Sequence, residues 1–424
     1  MDRFKKIGAN VVFQGLGRVI TSASTFAVTV LVAQKFGPAS LGDLTKVLSF
    51  VALFYLVADF GFNAIVVKDI CQNKSKTAYY LSNLFSLRIF ISLLLILVVF
   101  LIAIILPFDQ INNTGFSQPV KVGILVASLT ILAQAILSCG NALFQAKLQY
   151  NKSTIALFFG SLTTVIIVFV FLSYFFFSWP NSLLPIIVAY VLGGLVSSLL
   201  IFGFVKKDIY NFKIRINFPF WLELLKRTWP IGLTLIFNLV YFRIDMFILA
   251  LVKSSTDVGL YSLSYKVFDL ALVFPIFLIN ASYPTMIEAS TLGKKQLLNL
   301  SKKIFGLLFV VSIVFLVTIF ILSPQIVNII GGSSFSGSSL SLRILILSLP
   351  IFYLTAPLMW LLIIFESQTI LILIYALGAI LNIILNLIFI PQYGYLAAAA
   401  TTGVSELFIL LFSSYFVFWK FKSH

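Results

Sequence analysis

The sequence is poor in the residues that most active-site chemistry needs. It has one histidine, His424 at the last position, and two cysteines, Cys71 and Cys139, far apart in the chain. No metal-ligand cluster and no Ser/His/Asp triad can be assembled from these, so neither a metal nor a cofactor is expected. No G-x-x-x-x-G-K-[ST] stretch occurs, which excludes ATP hydrolysis by that phosphate loop. Charge is also scarce: 10% of residues are charged, against roughly 25% in soluble domains. An enzyme such as a glycan polymerase or ligase would want a large outer loop and an internal His or Arg cluster, and the longest outer loops, near Phe108 to Val120 and Ser323 to Ser339, are too short for a folded catalytic domain.

What the sequence has instead is hydrocarbon. With 61% hydrophobic residues and a mean hydropathy of +1.10, no soluble fold of this length could bury the apolar surface. The apolar runs are long enough to cross a bilayer, since about 20 helical residues span a ~30 Å hydrocarbon core. Arg3, Lys5 and Lys6 precede the first run, which continues to Ala33 without a small-residue cleavage site, so it reads as a permanent helix and not a signal peptide. Helices are expected near residues 11–34, 44–67, 81–106, 122–146, 153–177 and 183–205, and again near 229–252, 260–283, 304–323, 340–364, 368–390 and 395–419. The expected fold is therefore an all-α integral membrane protein of about twelve transmembrane helices. Its lobes are residues 1–205 and 229–424, joined by a basic connector at 206–228 that carries Lys206, Lys207, Lys213, Arg215, Lys226 and Arg227.

The net charge of +16 follows the membrane pattern, not a nucleic-acid partner. If the N-terminus is cytoplasmic, 22 of the 29 basic residues fall on that side and five (Lys35, Lys46, Lys121, Lys253 and Arg343) on the other. Both termini are then expected in the cytoplasm. An offset of 217 carries each early helix close to a later one and matches Gly42 with Gly259, Asn63-Ala64 with Asn280-Ala281, and Gly115 with Gly332. This spacing reads as an internal duplication of six helices inserted in parallel, which usually encloses a substrate path.

Two basic residues remain inside helices. Arg243 and Asp245 lie in helix seven and Lys266 and Asp269 in helix eight, with both cations roughly 12–15 Å from the outer surface. An ionisable group at mid-membrane costs about 2.5–3.5 kcal/mol or more, so each demands a reason. One reading pairs the four charges to staple helices seven and eight. The other lets Arg243 and Lys266 face a water-filled cavity and bind an anionic head group, the acids positioning them or titrating. At the 217 offset the first half has Phe26, Val28 and Ser49 in place of Arg243, Asp245 and Lys266, an asymmetry that a scaffold alone does not need. Arg18, in Gly15-Leu16-Gly17-Arg18, can line the same cavity or snorkel to the interface. Asp59 can be an ion site or the partner of a buried cation such as Arg88.

The stretch RIDMFILALVKSSTDVGLYSLSYKVFDLALVFP (243–275) resembles the R-x-D-x-x-x-L…VG-x-Y…K…P signature of Wzx-type polysaccharide flippases. QKFGPASLGDLTKVLSFVALFYLVADFG (34–61) resembles that family's first outer turn and second helix, and LNIILNLIFIPQYGYLAAAATTGVSELF (381–408) its eleventh and twelfth helices. The resemblance spans nearly the whole chain. It places the chain in the superfamily of lipid II flippases and multidrug antiporters, with two six-helix lobes around a central cavity and alternating access. The resemblance implies translocation of a polyprenyl-diphosphate-linked oligosaccharide across the cytoplasmic membrane for O-antigen, capsule or a similar surface glycan. It implies a cationic cavity, a role falling on Arg243, Lys266 and Arg18, with Asp245, Asp269 and Asp59 as positioning or ion-coupling acids. A polysaccharide polymerase and a chain-length regulator are partners implied by family alone. The alternative is a cation-coupled multidrug antiporter of the same fold.

Overall fold

Segments that are apolar all round lie in hydrocarbon, where no water can satisfy the backbone, so they close every N–H and C=O bond internally as helices. The computed structural model describes residues 2–175, 183–209 and 212–423, and these are helical almost throughout. The end of expected helix five, at 176–177, and His424 lie outside the described residues. In chain order the helices are α1 (Asp2–Asp59), α2 (Phe62–Gln72), α3 (Thr77–Ile105), α4 (Gln118–Ala127), α5 (Leu129–Ala146), α6 (Asn151–Val170) and α7 (Leu184–Asp208). Then follow α8 (Phe218–Val252), α9 (Ser255–Ala271), α10 (Val273–Leu292), α11 (Lys294–Gly331), α12 (Ser338–Leu347), α13 (Leu349–Ile364), α14 (Gln368–Tyr393) and α15 (Tyr395–Ser423).

Among the described residues nine helical segments are long and apolar enough to cross a membrane, or eleven if each of two bent pairs is one crossing. The first of these, Gly8–Gln72, has 65 residues, roughly 100 Å of helix and far more than one crossing needs. It breaks at Gly37, whose φ of 78° is left-handed, and Pro38 starts the next helix with its ring pre-set for a first turn. Expected helices one and two are the two parts of this segment. The protein is a multi-pass membrane protein.

The two halves break their helices alike. The fourth expected helix is interrupted at Ser128, between α4 and α5, and its later counterpart at Ser348, between α12 and α13. In each case the serine hydroxyl turns back onto the carbonyl three residues earlier, Ser128 to Leu125 at 2.7 Å and Ser348 to Leu345 at 2.6 Å. Gly115 and Gly332, matched by the offset, both have positive φ, 84° and 76°.

One expectation fails. The outer loop expected at Ser323–Ser339 is helical as far as Gly331, because Pro324 does not end α11. A proline removes the N–H that would bond the carbonyl four residues back. Here that carbonyl, on Phe320, accepts instead from Arg343 Nε at 3.2 Å and from Ser323 Oγ at 3.2 Å. The Arg343 guanidinium also lies over the Phe320 ring, 5.2 Å from its centre. The connector is likewise shorter than expected, since α7 runs to Asp208 and α8 starts at Phe218.

The chain forms two compact units. The first comprises Met1–Phe36, Asp43–Ile111 and Gly115–Ile236. Its core gathers Phe62, Phe85, Leu143, Phe144, Val205 and Trp221, all buried. The second comprises Gly37–Gly42, Asn112–Thr114 and Phe237–His424. Within it the two glycines matched by the 217 offset meet each other's helix starts. A Cβ on Gly42 would stand 1.7 Å from the Ser255 carbonyl oxygen, and one on Gly259 would stand 1.9 Å from that of Pro38. Only glycine permits backbones so close.

Candidate functional site

Helical spacing builds the site of the second unit. Residues four apart share a helix face, and three such pairs line up here: Tyr241 and Asp245 on α8, Tyr261 and Tyr265 on α9, and Thr402 and Glu406 on α15. All six are buried. The Tyr261 hydroxyl donates to Asp245 Oδ2 at 2.5 Å, and the Met246 backbone N–H donates to Asp245 Oδ1 at 2.7 Å. The Tyr241 hydroxyl donates to Glu406 Oε2 at 2.5 Å. Tyr261 also lies 3.5 Å from the Thr402 hydroxyl, which links the two carboxyl groups through one turn of α15.

Arg243, Lys266 and Asp269 stand around this buried group, each half-buried. Lys266 lies eleven residues into α9 and Arg243 nine residues before the end of α8, roughly 13–16 Å from those helix ends and near mid-membrane depth. Asp269 is the charge acting most strongly on both cations. Yet among the described residues no ion pair within 4.0 Å joins Arg243 or Lys266 to Asp245, Asp269 or any other acid. Asp245 satisfies itself with a tyrosine and a backbone N–H, and both cations keep donors that no described protein group takes.

The other two expected site residues sit in the first unit. Asp59 is ion-paired with Arg88, which is fully buried and also lies over the Phe62 ring, 5.8 Å from its centre, with Cys139 Sγ 3.9 Å from its Nη1. Arg18 is exposed on α1, and its charge acts on Tyr150. Another acid of this unit, Asp69, is buried and holds Arg227 through two bonds of 2.6 and 3.0 Å.

Glu406 and its tyrosine were not singled out in the sequence. The signal was present, an acid inside expected helix twelve, but its partner stands 165 positions away. Helix α15 is held against α14 by a ladder of amides and hydroxyls that fixes the depth of Glu406. Asn382 Nδ2 donates to Ser405 Oγ at 3.1 Å, and the Thr401 hydroxyl donates to Asn386 Oδ1 at 2.7 Å. Such bonds between membrane helices each contribute about 0.6–2 kcal/mol.

A family described as polysaccharide biosynthesis protein matches residues 7–290, two-thirds of the sequence and including Arg243, Asp245, Lys266 and Asp269. The chain belongs to the polysaccharide biosynthesis protein family. A Shigella dysenteriae protein classed as an O-antigen transporter is 22% identical over 377 residues, covering 88% of this chain and 90% of its own. Among solved structures, the lipid II flippase MurJ in an inward closed conformation superposes with a TM-score of 0.78 at 16% identity, over 97% of this chain and 89% of its own. An inward-facing multidrug-resistance MATE transporter of the MOP superfamily gives 0.77 at 12% identity, over 98% of both chains. The fold of this family member is thus that of MOP superfamily transporters.

Proposed function

We propose that the protein is a flippase that carries a polyprenyl-diphosphate-linked oligosaccharide across the cytoplasmic membrane by alternating access, for synthesis of a surface polysaccharide such as O-antigen or capsule. The observation that carries this reading is the state of Arg243 and Lys266. Both are partly exposed near mid-membrane depth with no protein acid within 4.0 Å among the described residues. Exposure of a cation to hydrocarbon costs several kcal/mol, so a partly open cation at this depth faces water or a ligand. A diphosphate supplies what the two cations lack, a compact anion with several acceptor oxygens, and guanidinium forms strong paired bonds with it.

In this role Arg243 and Lys266 hold the diphosphate, and Asp245 and Asp269 set their position and field. Arg18, exposed on α1, is a second-rank candidate for the anion's path. Asp59 is assigned a structural role, since Arg88 neutralises it. The membrane is the inner membrane, with both termini cytoplasmic, a reading supported by the 22-to-five division of basic residues. A polymerase and a chain-length regulator would act on the delivered glycan. No step of this transport makes or breaks a covalent bond, so the protein is not an enzyme. The name of the Shigella relative supports an oligosaccharide cargo over a drug. Replacing Arg243 by Ala should abolish surface glycan while the protein still inserts and accumulates. Unchanged glycan together with new drug sensitivity in a deletion strain would favour the antiporter reading.

A further inference from the structure

Asp59 and Asp69 each hold a guanidinium, which can only donate hydrogen bonds and so suits only a carboxylate. Glu406 is different. It is 3% exposed, lies eleven residues into α15 and so roughly 16 Å from that helix end, and has no Lys or Arg within 4.0 Å among the described residues. Its neighbours are hydroxyl groups: Tyr241 from α8 at 2.5 Å, with the Thr355 side chain from α13 beside it. Tyr265 from α9 and Tyr375 from α14 feel its charge, and Thr402 lies one turn before it on its own helix. The other acid of the cluster, Asp245, is bonded by Tyr261, which lies 3.5 Å from the Thr402 hydroxyl one turn before Glu406.

A hydroxyl donates to a carboxylate and accepts from a carboxylic acid with only a rotation of its hydrogen. Both charge states of Glu406 are therefore hydrogen-bonded, and neither leaves an orphaned buried group, whose cost would be about 1–3 kcal/mol. We propose that Glu406 is a proton-binding site of the C-terminal unit, held by the Tyr241 hydroxyl, and that its charge state reaches the anion site by way of Tyr265, the side chain on which both Glu406 and Arg243 act. No covalent bond to carbon changes: one proton moves between water and a Glu406 carboxylate oxygen, and the local charge changes by one. A proton on Glu406 removes a negative charge from the cluster that Tyr265 shares with Arg243, so an anionic head group there is held more tightly. By reciprocity the bound anion favours proton uptake. This role in a transport cycle rests on the flippase reading; proton binding itself does not.

Two measurements on the purified full-length protein separate these claims. Infrared difference spectra between acid and alkaline pH should contain a carboxylic-acid band that Glu406→Gln removes and that Tyr241→Phe moves to a different pH. A band that persists in Glu406→Gln overturns the proposal, and so does one that stays in place in Tyr241→Phe, which remains a test if the first variant fails to fold. Calorimetric titration with farnesyl diphosphate, repeated in buffers of different ionisation enthalpy, should show proton uptake in wild type and none in Glu406→Gln. Its affinity in wild type should then change by up to about tenfold per pH unit. Equal uptake in both proteins overturns the link to Arg243. Absence of farnesyl diphosphate binding alongside an intact Glu406 band would instead count against the diphosphate reading, and leave the proton site standing.

Discussion

Arg88 and Arg243 are both intramembrane guanidinium groups, and they differ in what surrounds them. Arg88 is sealed and ion-paired to Asp59; Arg243 is half-open without an ion pair among the described residues. The difference predicts different failures. Asp59→Ala leaves a fully buried cation without its anion, a loss of about 3–5 kcal/mol for a broken buried pair, so thermal stability in detergent should fall sharply. Arg88→Met together with Asp59→Ala should recover most of it, because an apolar pair needs no counter-charge. A double variant as unstable as the single one would contradict the pairing. Arg243→Ala should change stability little and transport greatly. Asp245 and Asp269 of the flippase-like stretch, and Arg88 as a partner for Asp59, were legible in the sequence because each charge interrupts an apolar run. Which charges pair was not, since Tyr261, and not a cation, satisfies Asp245, and hydroxyl partners leave no pattern in composition.

At the scale of helices, spans were readable from apolar run length, and their breaks only in part. The turn at Gly37 falls between expected helices one and two, but the outer loop expected from Ser323 is overridden, and α11 continues through Pro324. Arg343, on α12, supplies the missing donor to the Phe320 carbonyl. Arg343→Ala should therefore cost about 0.5–1.5 kcal/mol, the net worth of one hydrogen bond, because the Ser323 hydroxyl still reaches that carbonyl, read as a lower melting temperature. Adding Pro324→Ala restores a backbone N–H and should return much of the loss; no recovery would mean that Arg343 acts by another route. The paired glycines make a sterner test. Gly42→Ala or Gly259→Ala places a methyl within 2 Å of a carbonyl oxygen, and backbone cannot yield as a side-chain tip does. Either variant should accumulate poorly, measured as the monodisperse fraction after solubilisation, whereas Gly306→Ala, with open space around its Cβ, should behave as wild type.

For the whole molecule, the offset of 217 residues reported more than shared spacing. The glycines it matched meet in space or share a positive φ, and the serine breaks in the fourth helix of each half recur. Against that repeated scaffold, the cations Arg243 and Lys266 belong to one half only, where the other has Phe26 and Ser49. Arg88 and Asp59 also belong to one half only, but they neutralise each other, whereas Arg243 and Lys266 have no ion pair among the described residues that would account for their cost at this depth. Binding of a lipid-linked diphosphate by these two cations is the step on which the proposed transport rests. It is tested most directly in proteoliposomes holding the purified protein and a fluorescent polyprenyl-diphosphate oligosaccharide, with a membrane-impermeant glycosidase reporting exposure of the sugar over time. The account predicts protein-dependent exposure that slows by roughly tenfold or more in Arg243→Ala, the loss of a charge-assisted bond of about 1.5–3 kcal/mol. Exposure at the wild-type rate in that variant would contradict it.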